Sequence, residues 1–257
     1  MNKKTFMGKM GFVDSNTASN IYEKIILAGN INKTVYMTEF LTPNIWKTLE
    51  DISNELDVGV YSYGVFEDAQ RKMIAFSYDG DVIDYPITLM RIDKKSKFCK
   101  LGHRDYLGAI MSLGIKREKF GDLIVKGNSC YLAVQCEVSD YIKMNLVSIG
   151  KSPCDVSILN VNDCEIPVYD FQDIVVNVSS LRVDCVISSL CNISRNKAED
   201  LIKSDKVLVD YSKNFKKDGV LKCNCVITIS GYGKYKLIEN IGWTGSGKTK
   251  VLIKKFI

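Results

Sequence analysis

The first part of the chain places apolar residues at helical spacing and then in short runs. Between residues 16 and 29, apolar side chains recur every three or four positions and predict a helix. A second helix is predicted to begin at Thr42-Pro43, because threonine caps a helix and proline fits its first turn. Residues 58–61 and 73–76 are predicted to pair as strands. The pattern therefore predicts a small N-terminal α/β domain over residues 1–80.

The middle of the chain predicts strands and helices in the order β-α-β-β-α-β. The expected strands are 87–92, 122–125, 131–135 and 156–161, and the expected helices are 103–115 and 139–149. This order is that of a ferredoxin-like plait, which many RNA-recognition domains use. The aromatic, glycine-rich strand of a true RNA-recognition motif is missing, so the plait indicates a fold rather than an activity. We assign residues 81–172 to this RNA-recognition-motif-like domain.

The last third of the chain, residues 173–257, predicts two short helices that lead into a hairpin. Ser180 and Ser194 are predicted to cap these helices, because a serine oxygen accepts hydrogen bonds from the first-turn N–H groups. The second helix has an apolar stripe formed by Ala198, Leu201 and Ile202. Its basic side chains outside that stripe are expected to face outward, namely Arg195, Lys197 and Lys203.

These residues resemble the αL domain, an RNA-binding domain named after the fourth protein of the small ribosomal subunit. The matching residues are Arg182, Asp184, Ser194-Arg195, Ala198, 201–203 and 207–209. The family usually has a glycine before the following strand and an Asn-Gly turn after it, where this chain has Ser204, Asp205 and Asp210. The resemblance implies that residues 173–257 form an RNA-binding domain.

The densest polar run of the chain extends from His103 to Asp122. This run resembles the signature of the YlmH family of bacterial proteins, in which a plait domain precedes the αL domain. Residues 40–43 and 69–72 fit the same family, with Gln70 where an acidic residue is more usual. The resemblance implies association with the large ribosomal subunit bearing a stalled peptidyl-tRNA, in ribosome-associated quality control, without catalysis. An older association links the family to cell division.

The charge distribution supports a nucleic-acid partner for the last third. The 257 residues are 46% hydrophobic and 25% charged, as is typical of a folded globular protein. Residues 178–257 hold 15 Lys and Arg against 7 Asp and Glu, a net charge of +8 within a total of +5. The preceding residues therefore carry a net charge of −3. A basic surface concentrated in one domain is typical of phosphate-binding modules.

The cysteines and the single histidine favour neither a metal site nor a secreted protein. Nine cysteines are present without any Cys-x-x-Cys, and most lie in apolar runs. We therefore expect no zinc, no cofactor and a reducing cytoplasm. No apolar run approaches the roughly 20 residues that a membrane span needs.

Residues 242–249 match the P-loop pattern of nucleotide-binding proteins letter for letter. A working P-loop needs a helix that starts at its lysine, whereas the residues after Lys248 predict a terminal strand. We therefore assign this segment to a hairpin turn and expect no bound nucleotide.

Taken together, these patterns predict a non-catalytic α+β protein of the cytoplasm that binds ribosomal RNA and tRNA on the large ribosomal subunit. The predicted RNA-binding residues are Arg182, Ser194, Arg195, Lys197, Lys203, Lys206, Lys234, Lys236, His103, Arg104 and Arg117. For Arg104, bracing of its own helix together with Asp105 stays an open alternative. Two other functions stay open. One is a protein-interaction module linked to cell division. The other is an RNA-modifying enzyme of the pseudouridine synthase type, because Arg182-Val183-Asp184 resembles the catalytic aspartate loop of some of these enzymes.

Overall fold

The computed structural model describes residues 1–80, 82, 84–96, 99–213 and 215–257. The chain divides into two compact units, Met1–Val168 and Tyr169–Ile257. Both contain helices and antiparallel sheets, so the predicted α+β class is confirmed. The three-domain division stays a prediction, and residue 81, where its second domain would begin, lies outside the described residues. Every helix among the described residues is too short or too polar to cross a membrane.

The first unit begins with three helices and a small sheet. Its elements are α1 (Lys3–Lys9), α2 (Ser15–Ile31), β1 (Val35–Tyr36), α3 (Pro43–Asp51), β2 (Gly59–Tyr63) and β3 (Met73–Ser77). The strands form an antiparallel sheet in the order β1-β3-β2. Asp14 caps α2 by accepting a hydrogen bond from Thr17 N at 2.9 Å. Thr42 precedes α3 as predicted, but its hydroxyl donates to Asn44 Oδ1 instead of accepting from a backbone N–H.

The rest of the first unit is the predicted plait. It consists of β4 (Ile87–Lys94), α4 (His103–Ser112), β5 (Phe120–Lys126), β6 (Ser129–Gln135), α5 (Cys136–Asn145), β7 (Ser148–Ile149) and β8 (Ser152–Leu159). The sheet order is β5-β6-β4-β8-β7, so the first strand lies between the third and the last, as a ferredoxin-like plait requires. Helix α5 ends earlier than predicted because the chain turns at Gly150, where φ is +57°, and pairs β7 with β8.

The small sheet and the plait are joined through a buried carboxylate within this unit. Asp122 in β5 accepts hydrogen bonds from the backbone N–H groups of Gln70 and Arg71, the latter at 3.1 Å. Phe40 N donates to Glu118 O at 2.7 Å close by. Phe40, Gln70 and Arg71, which lie in the segments that carry part of the family resemblance, therefore contact the plait directly.

The second unit is a five-stranded antiparallel sheet with two helices on one face. Its elements are β9 (Phe171–Val178), α6 (Val183–Cys191), α7 (Arg195–Lys203), β10 (Val207–Val209), β11 (Val226–Ile229), β12 (Gly233–Trp243) and β13 (Thr249–Phe256). The strand order is β10-β11-β12-β13-β9. The core contains side chains from both helices and from one face of the sheet, among them Val186, Ile187, Ala198, Ile227, Leu237 and Ile253.

The start of α6 differs from the prediction. The helix begins at Val183 and not at Ser180. Its first N–H groups donate to backbone carbonyls instead of to a serine, from Val183 to Gly219 at 3.0 Å and from Asp184 to Lys217 at 3.2 Å. A segment more than 30 residues away thus caps the helix, which helix-capping residue preferences cannot reveal.

The start of α7 agrees with the prediction. Ser194 is its N-cap and accepts a hydrogen bond from Lys197 N at 3.3 Å. Ala198 is buried, and Leu201 and Ile202 pack against the core. The predicted apolar stripe is therefore the face that α7 buries.

Candidate nucleic-acid interface

The carboxylate of Asp184 lies at the buried centre of a charged cluster in the second unit. Arg182 donates two hydrogen bonds to it, at 3.1 Å (Nε–Oδ1) and 3.2 Å (Nη2–Oδ2). Arg195, the first residue of α7, donates a third at 2.5 Å (Nη2–Oδ2). One fully buried carboxylate therefore connects the N-terminal ends of α6 and α7. We call Arg182, Asp184 and Arg195 the Asp184 cluster.

The ionisation of the Asp184 cluster follows from its geometry. Burial raises the pKa of the Asp184 carboxyl, but hydrogen bonds from Arg182 and Arg195 outweigh burial and hold that pKa at about 2. The hydrogen bonds to Asp184 also raise the pKa of both guanidinium groups. The cluster thus carries one net positive charge at neutral pH.

The two arginines of the cluster retain surface available to a ligand. Their side chains are 37% exposed for Arg182 and 52% exposed for Arg195. A guanidinium has five N–H donors, and Asp184 uses only two from Arg182 and one from Arg195. Arg195 is exposed as predicted, and its guanidinium also donates a hydrogen bond to the buried carboxylate, which the sequence did not predict.

Four exposed lysines, Lys197, Lys203, Lys206 and Lys217, follow the cluster along the chain. Lys197 and Lys206 form no ion pair with any residue that the structure describes. Lys203 lies 4.0 Å from Glu199, and Lys217 lies 2.9 Å from the same carboxylate. Ion pairs this exposed contribute little to stability, so these lysines are available to an external anion.

Lys234 and Lys236 lie on the face of the sheet opposite the helices, because Tyr235 and Leu237 between them are in the core. Lys234 Nζ is 2.8 Å from Tyr211 Oη and 4.3 Å from the centroid of the Phe256 ring. Both lysines are half-buried. Aromatic side chains thus hold the Lys234 ammonium in place. It is therefore less accessible to a phosphate than a fully exposed lysine would be.

In the plait, Arg104 lines a cleft of about 550 Å³ between α4 and the β7–β8 turn. Lys151 lines the same cleft, and neither cation pairs with any residue in the described part of the chain. Asp105 accepts a hydrogen bond from Gly102 N at 2.7 Å and so caps α4. Asp105 therefore braces the helix while Arg104 does not. His103 is exposed at the first position of α4.

Arg117 differs from Arg104, because the protein uses its guanidinium internally. Its Nη1 donates to Phe120 O at 2.7 Å and to Gly121 O at 3.0 Å. The guanidinium also lies 4.5 Å from the centroid of the Phe120 ring. Arg117 thus stabilises the segment that leads into β5.

Comparison with known proteins identifies a domain that this chain shares with a described family. Residues 81–163 match the family model described as "Putative RNA-binding domain in YlmH". The resemblance to the YlmH family is confirmed. This YlmH-type domain is the plait, and it contains His103, Arg104 and Arg117, whereas the Asp184 cluster and α7 lie outside the matched residues.

One curated relative is similar along most of the chain. It is the "Ribosome-associated protein quality control protein P2" of Bacillus subtilis (strain 168), which is 28% identical over 222 residues, 85% of this chain and 86% of that protein. A solved structure described as "Cell division protein ylmH from Streptococcus pneumoniae" shares 20% identity and covers 55% of this chain and 88% of that chain. Its TM-score is 0.45.

The segment that matches a P-loop is a β-hairpin turn outside the YlmH-type domain. Strands β12 and β13 pair from Tyr235↔Lys255 to Trp243↔Thr249, with the turn at 244–248. Strand β13 follows Lys248 directly. The helix N-terminus that holds phosphate in a P-loop is thus replaced by a strand, as the sequence predicted.

The geometry of Asp184 argues against its being the catalytic aspartate of an RNA-modifying enzyme. A catalytic aspartate must reach its substrate, whereas the Asp184 carboxylate is fully buried and bonded to two guanidinium groups. The resemblance of Arg182-Val183-Asp184 to a catalytic loop is therefore explained by the structural role of the Asp184 cluster.

Sequence reasoning missed an aromatic and basic group around Lys234. The rings of Phe171 and Phe256 lie 4.9 Å apart, and those of Tyr169 and Phe256 lie 5.2 Å apart. Lys254 lies 5.2 Å from the Phe171 ring centroid. The alternation of Lys250, Leu252, Lys254 and Phe256 along β13 was the available signal, because alternate residues of a strand share one face.

Proposed function

We propose that this protein is a non-catalytic adaptor that binds ribosomal RNA and tRNA on the large ribosomal subunit in ribosome-associated quality control. The YlmH-type domain and the similarity to the Bacillus subtilis quality control protein support RNA binding at the ribosome. Its expected location is the cytoplasm, where ribosomes work. We propose the large subunit and tRNA as the specific partners because the resemblance to the YlmH family implies them.

The observation that carries the proposal is the exposed basic surface at the start of α6 and α7. The Asp184 cluster holds Arg182 and Arg195 in fixed positions, with unused N–H donors directed away from the carboxylate. Lys197, Lys203 and Lys206 add exposed charges nearby in the chain. Guanidinium groups that are already oriented lose less conformational entropy when they bind a phosphate.

The same chemistry predicts how RNA is recognised. Contacts from arginine and lysine to phosphates position a protein on RNA but carry no sequence information. Structured RNA is recognised mainly by its shape and by its 2′-hydroxyl groups. We therefore expect the protein to select a folded RNA site on the ribosome and to tolerate changes of base sequence that preserve that fold.

Co-sedimentation with ribosomal particles at graded salt tests the proposal. The purified protein is mixed with large subunits that carry peptidyl-tRNA, with vacant large subunits or with small subunits. We expect it to pellet preferentially with the first. The logarithm of the affinity should fall linearly with the logarithm of salt, by about 0.7 to 0.9 per phosphate contact. Equal binding to small subunits, or binding independent of salt, would contradict the proposal.

A second measurement addresses the enzyme alternative. Mass analysis of ribosomal RNA from a strain that lacks the protein should show every modification of the parent strain. A modification that disappears, and that returns when the unmodified protein is supplied, would replace the adaptor by an enzyme.

A further inference from the structure

The far end of the β12–β13 hairpin exposes a large aromatic side chain. Trp243 is 70% exposed, whereas the chain's other tryptophan, Trp46, is 9% exposed and donates from Nε1 to Gln70 O at 2.9 Å. Trp243 pairs with Thr249 across the hairpin, next to the turn. We call residues 241–250 the hairpin tip. Tryptophan is enriched at binding interfaces, because its large ring provides much contact area.

The hairpin tip has a defined shape. Thr244 N donates to Lys248 O at 2.8 Å, and Gly247 N donates to Thr244 O at 2.9 Å. Lys248 N donates to Thr244 Oγ1 at 3.0 Å. Gly247 has a φ of +77°, a conformation that glycine adopts without strain. The glycines that suggested a P-loop therefore shape a tight turn that presents Trp243 on an ordered support.

The charge of the hairpin tip selects an anionic partner. The hairpin tip contains two lysines, Lys248 and Lys250, and no aspartate or glutamate. Lys248 and Lys250 are exposed and pair with no described residue. The backbone N–H groups of Gly245 and Ser246 also bond to no described residue and can donate to a phosphate oxygen. A ring flanked by cations matches a nucleotide, which offers a base to stack on and phosphates to neutralise.

A membrane surface or an apolar protein fits the hairpin tip less well. Membrane-bound segments bury a broad apolar face, whereas the hairpin tip exposes two large apolar side chains, Ile241 at 45% and Trp243 at 70%, beside a turn of threonine, serine, glycine and lysine. A duplex is also a poor match, because its bases are already stacked and leave no face for Trp243. Unpaired nucleotides expose both of the groups that the hairpin tip can recognise.

We propose that the hairpin tip binds unpaired nucleotides of RNA, with Trp243 stacked on a base and with Lys248 and Lys250 contacting the flanking phosphates. This inference rests on the proposed function and adds a second site to it. The surface around the Asp184 cluster holds structured RNA, and the hairpin tip holds a single-stranded segment of the same RNA or of a bound tRNA.

Two signals test the inference in the full chain. The probe is a fluorescein-labelled single-stranded RNA of roughly 12 nucleotides, and its anisotropy reports binding. Intrinsic tryptophan emission reports stacking, because Trp243 faces solvent while Trp46 is buried. We expect bound RNA to quench the emission of Trp243 and to reduce its further quenching by acrylamide. Trp243→Phe should retain binding in part and lose the emission change, which assigns the signal to Trp243.

The variants separate the stacking ring from the charges. Trp243→Ala should weaken binding of the single strand by about 5- to 100-fold, because the variant loses the free energy of stacking on one base. Lys248→Ala with Lys250→Ala should lower the salt slope by about 1.4 units. Tyr78→Ala is the matched control, since Tyr78 is 60% exposed in the other unit, and it should change neither signal.

The outcomes distinguish this inference from the proposed function. RNA binding with no emission change and no effect of Trp243→Ala would overturn the hairpin site and leave the adaptor intact. A tighter fit to a duplex of the same sequence, or a blue shift of Trp243 on phosphatidylglycerol vesicles without RNA binding at the tip, would also overturn it. Failure of the unmodified protein to bind single-stranded, structured or ribosomal RNA would overturn both proposals.

Discussion

At the scale of single residues, Asp184 controls how α6 and α7 begin. Replacing it by asparagine removes the negative charge that accepts three hydrogen bonds from Arg182 and Arg195. Because both arginines are partly exposed, water can solvate them in the variant. We expect Asp184→Asn to lower the free energy of unfolding by about 2 to 3 kcal/mol. Hydrogen exchange of the α6 and α7 amides measures this loss locally.

Asp200→Asn provides the matched control, since Asp200 is an exposed carboxyl on α7. A change there should stay within about 0.5 kcal/mol. Equal effects of the two substitutions would mean that the buried position of Asp184 has no special importance.

The low pKa of Asp184 also predicts a pH dependence. The folded carboxyl has a pKa of about 2 against an ordinary value of 3.8. A lowered pKa stabilises the folded state above pH 4, and this contribution disappears as the pH falls from about 4 to about 2. The difference corresponds to about 2 kcal/mol. Hydrogen exchange or unfolding measured across this window should show the loss in the unmodified protein and a smaller slope in Asp184→Asn.

At the scale of elements, α7 presents its lysines around the apolar stripe and not in one row. With about 100° per residue, Lys197 and Lys203 lie roughly 120° apart around the helix. Ala198 lies within the buried stripe, so the exposed positions can change without a cavity. Arg195 is different, because its guanidinium belongs to the Asp184 cluster. A test of the RNA surface should therefore spare Arg195.

The triple variant Lys197→Ala, Lys203→Ala, Lys206→Ala tests the exposed lysines of α7 together with Lys206, which follows the helix. We expect the melting temperature to change little and the affinity for ribosomal particles to fall. The salt slope should decrease by about 2 to 3 units if all three lysines contact phosphates. Lys4→Ala, Lys33→Ala, Lys143→Ala is the control, because it removes the same charge from exposed positions of the other unit. A similar slope in both triple variants would attribute binding to net charge and not to α7.

At the scale of the whole molecule, the basic charge is concentrated in residues 178–257, yet the first unit carries the YlmH-type match. The cleft lined by Arg104 and Lys151 is one place where that unit offers cations that pair with no described residue. Arg117 lies in the same domain but holds backbone carbonyls. Substitutions at these three residues can therefore distinguish a role in RNA binding from a role in stability within one domain.

We expect Arg104→Ala with Lys151→Ala to weaken association with ribosomal particles by about three- to tenfold at an unchanged melting temperature. Arg117→Ala should lower the melting temperature, because two carbonyls lose a charged donor. Calorimetry and co-sedimentation on the same preparations make the comparison. Unchanged binding in the first variant would restrict RNA contact to the second unit.

The sequence by itself determined the features that depend on neighbouring residues. The plait order, the Ser194 cap, the apolar stripe of α7 and the hairpin at 242–249 all follow from local periodicity, capping and turn chemistry. Such features persist in the fold because each segment's preference agrees with its packing. Resemblance of motifs indicated the YlmH family, and residues 81–163 match the model of that family's RNA-binding domain.

Only the tertiary structure decided the features that join distant segments. Helix α6 begins at Val183 because carbonyls of 217–219 satisfy its first N–H groups. Asp184 is buried because Arg195 arrives from the next helix, and Lys234 is enclosed because Tyr211 and Phe256 reach it from elsewhere in the chain. The exposure of Trp243 is also a property of the folded hairpin, in which Trp243 is the last residue of β12 and lies beside the turn. Burial and ion pairing depend on which distant segments come into contact in the fold, and the local sequence pattern does not specify those contacts.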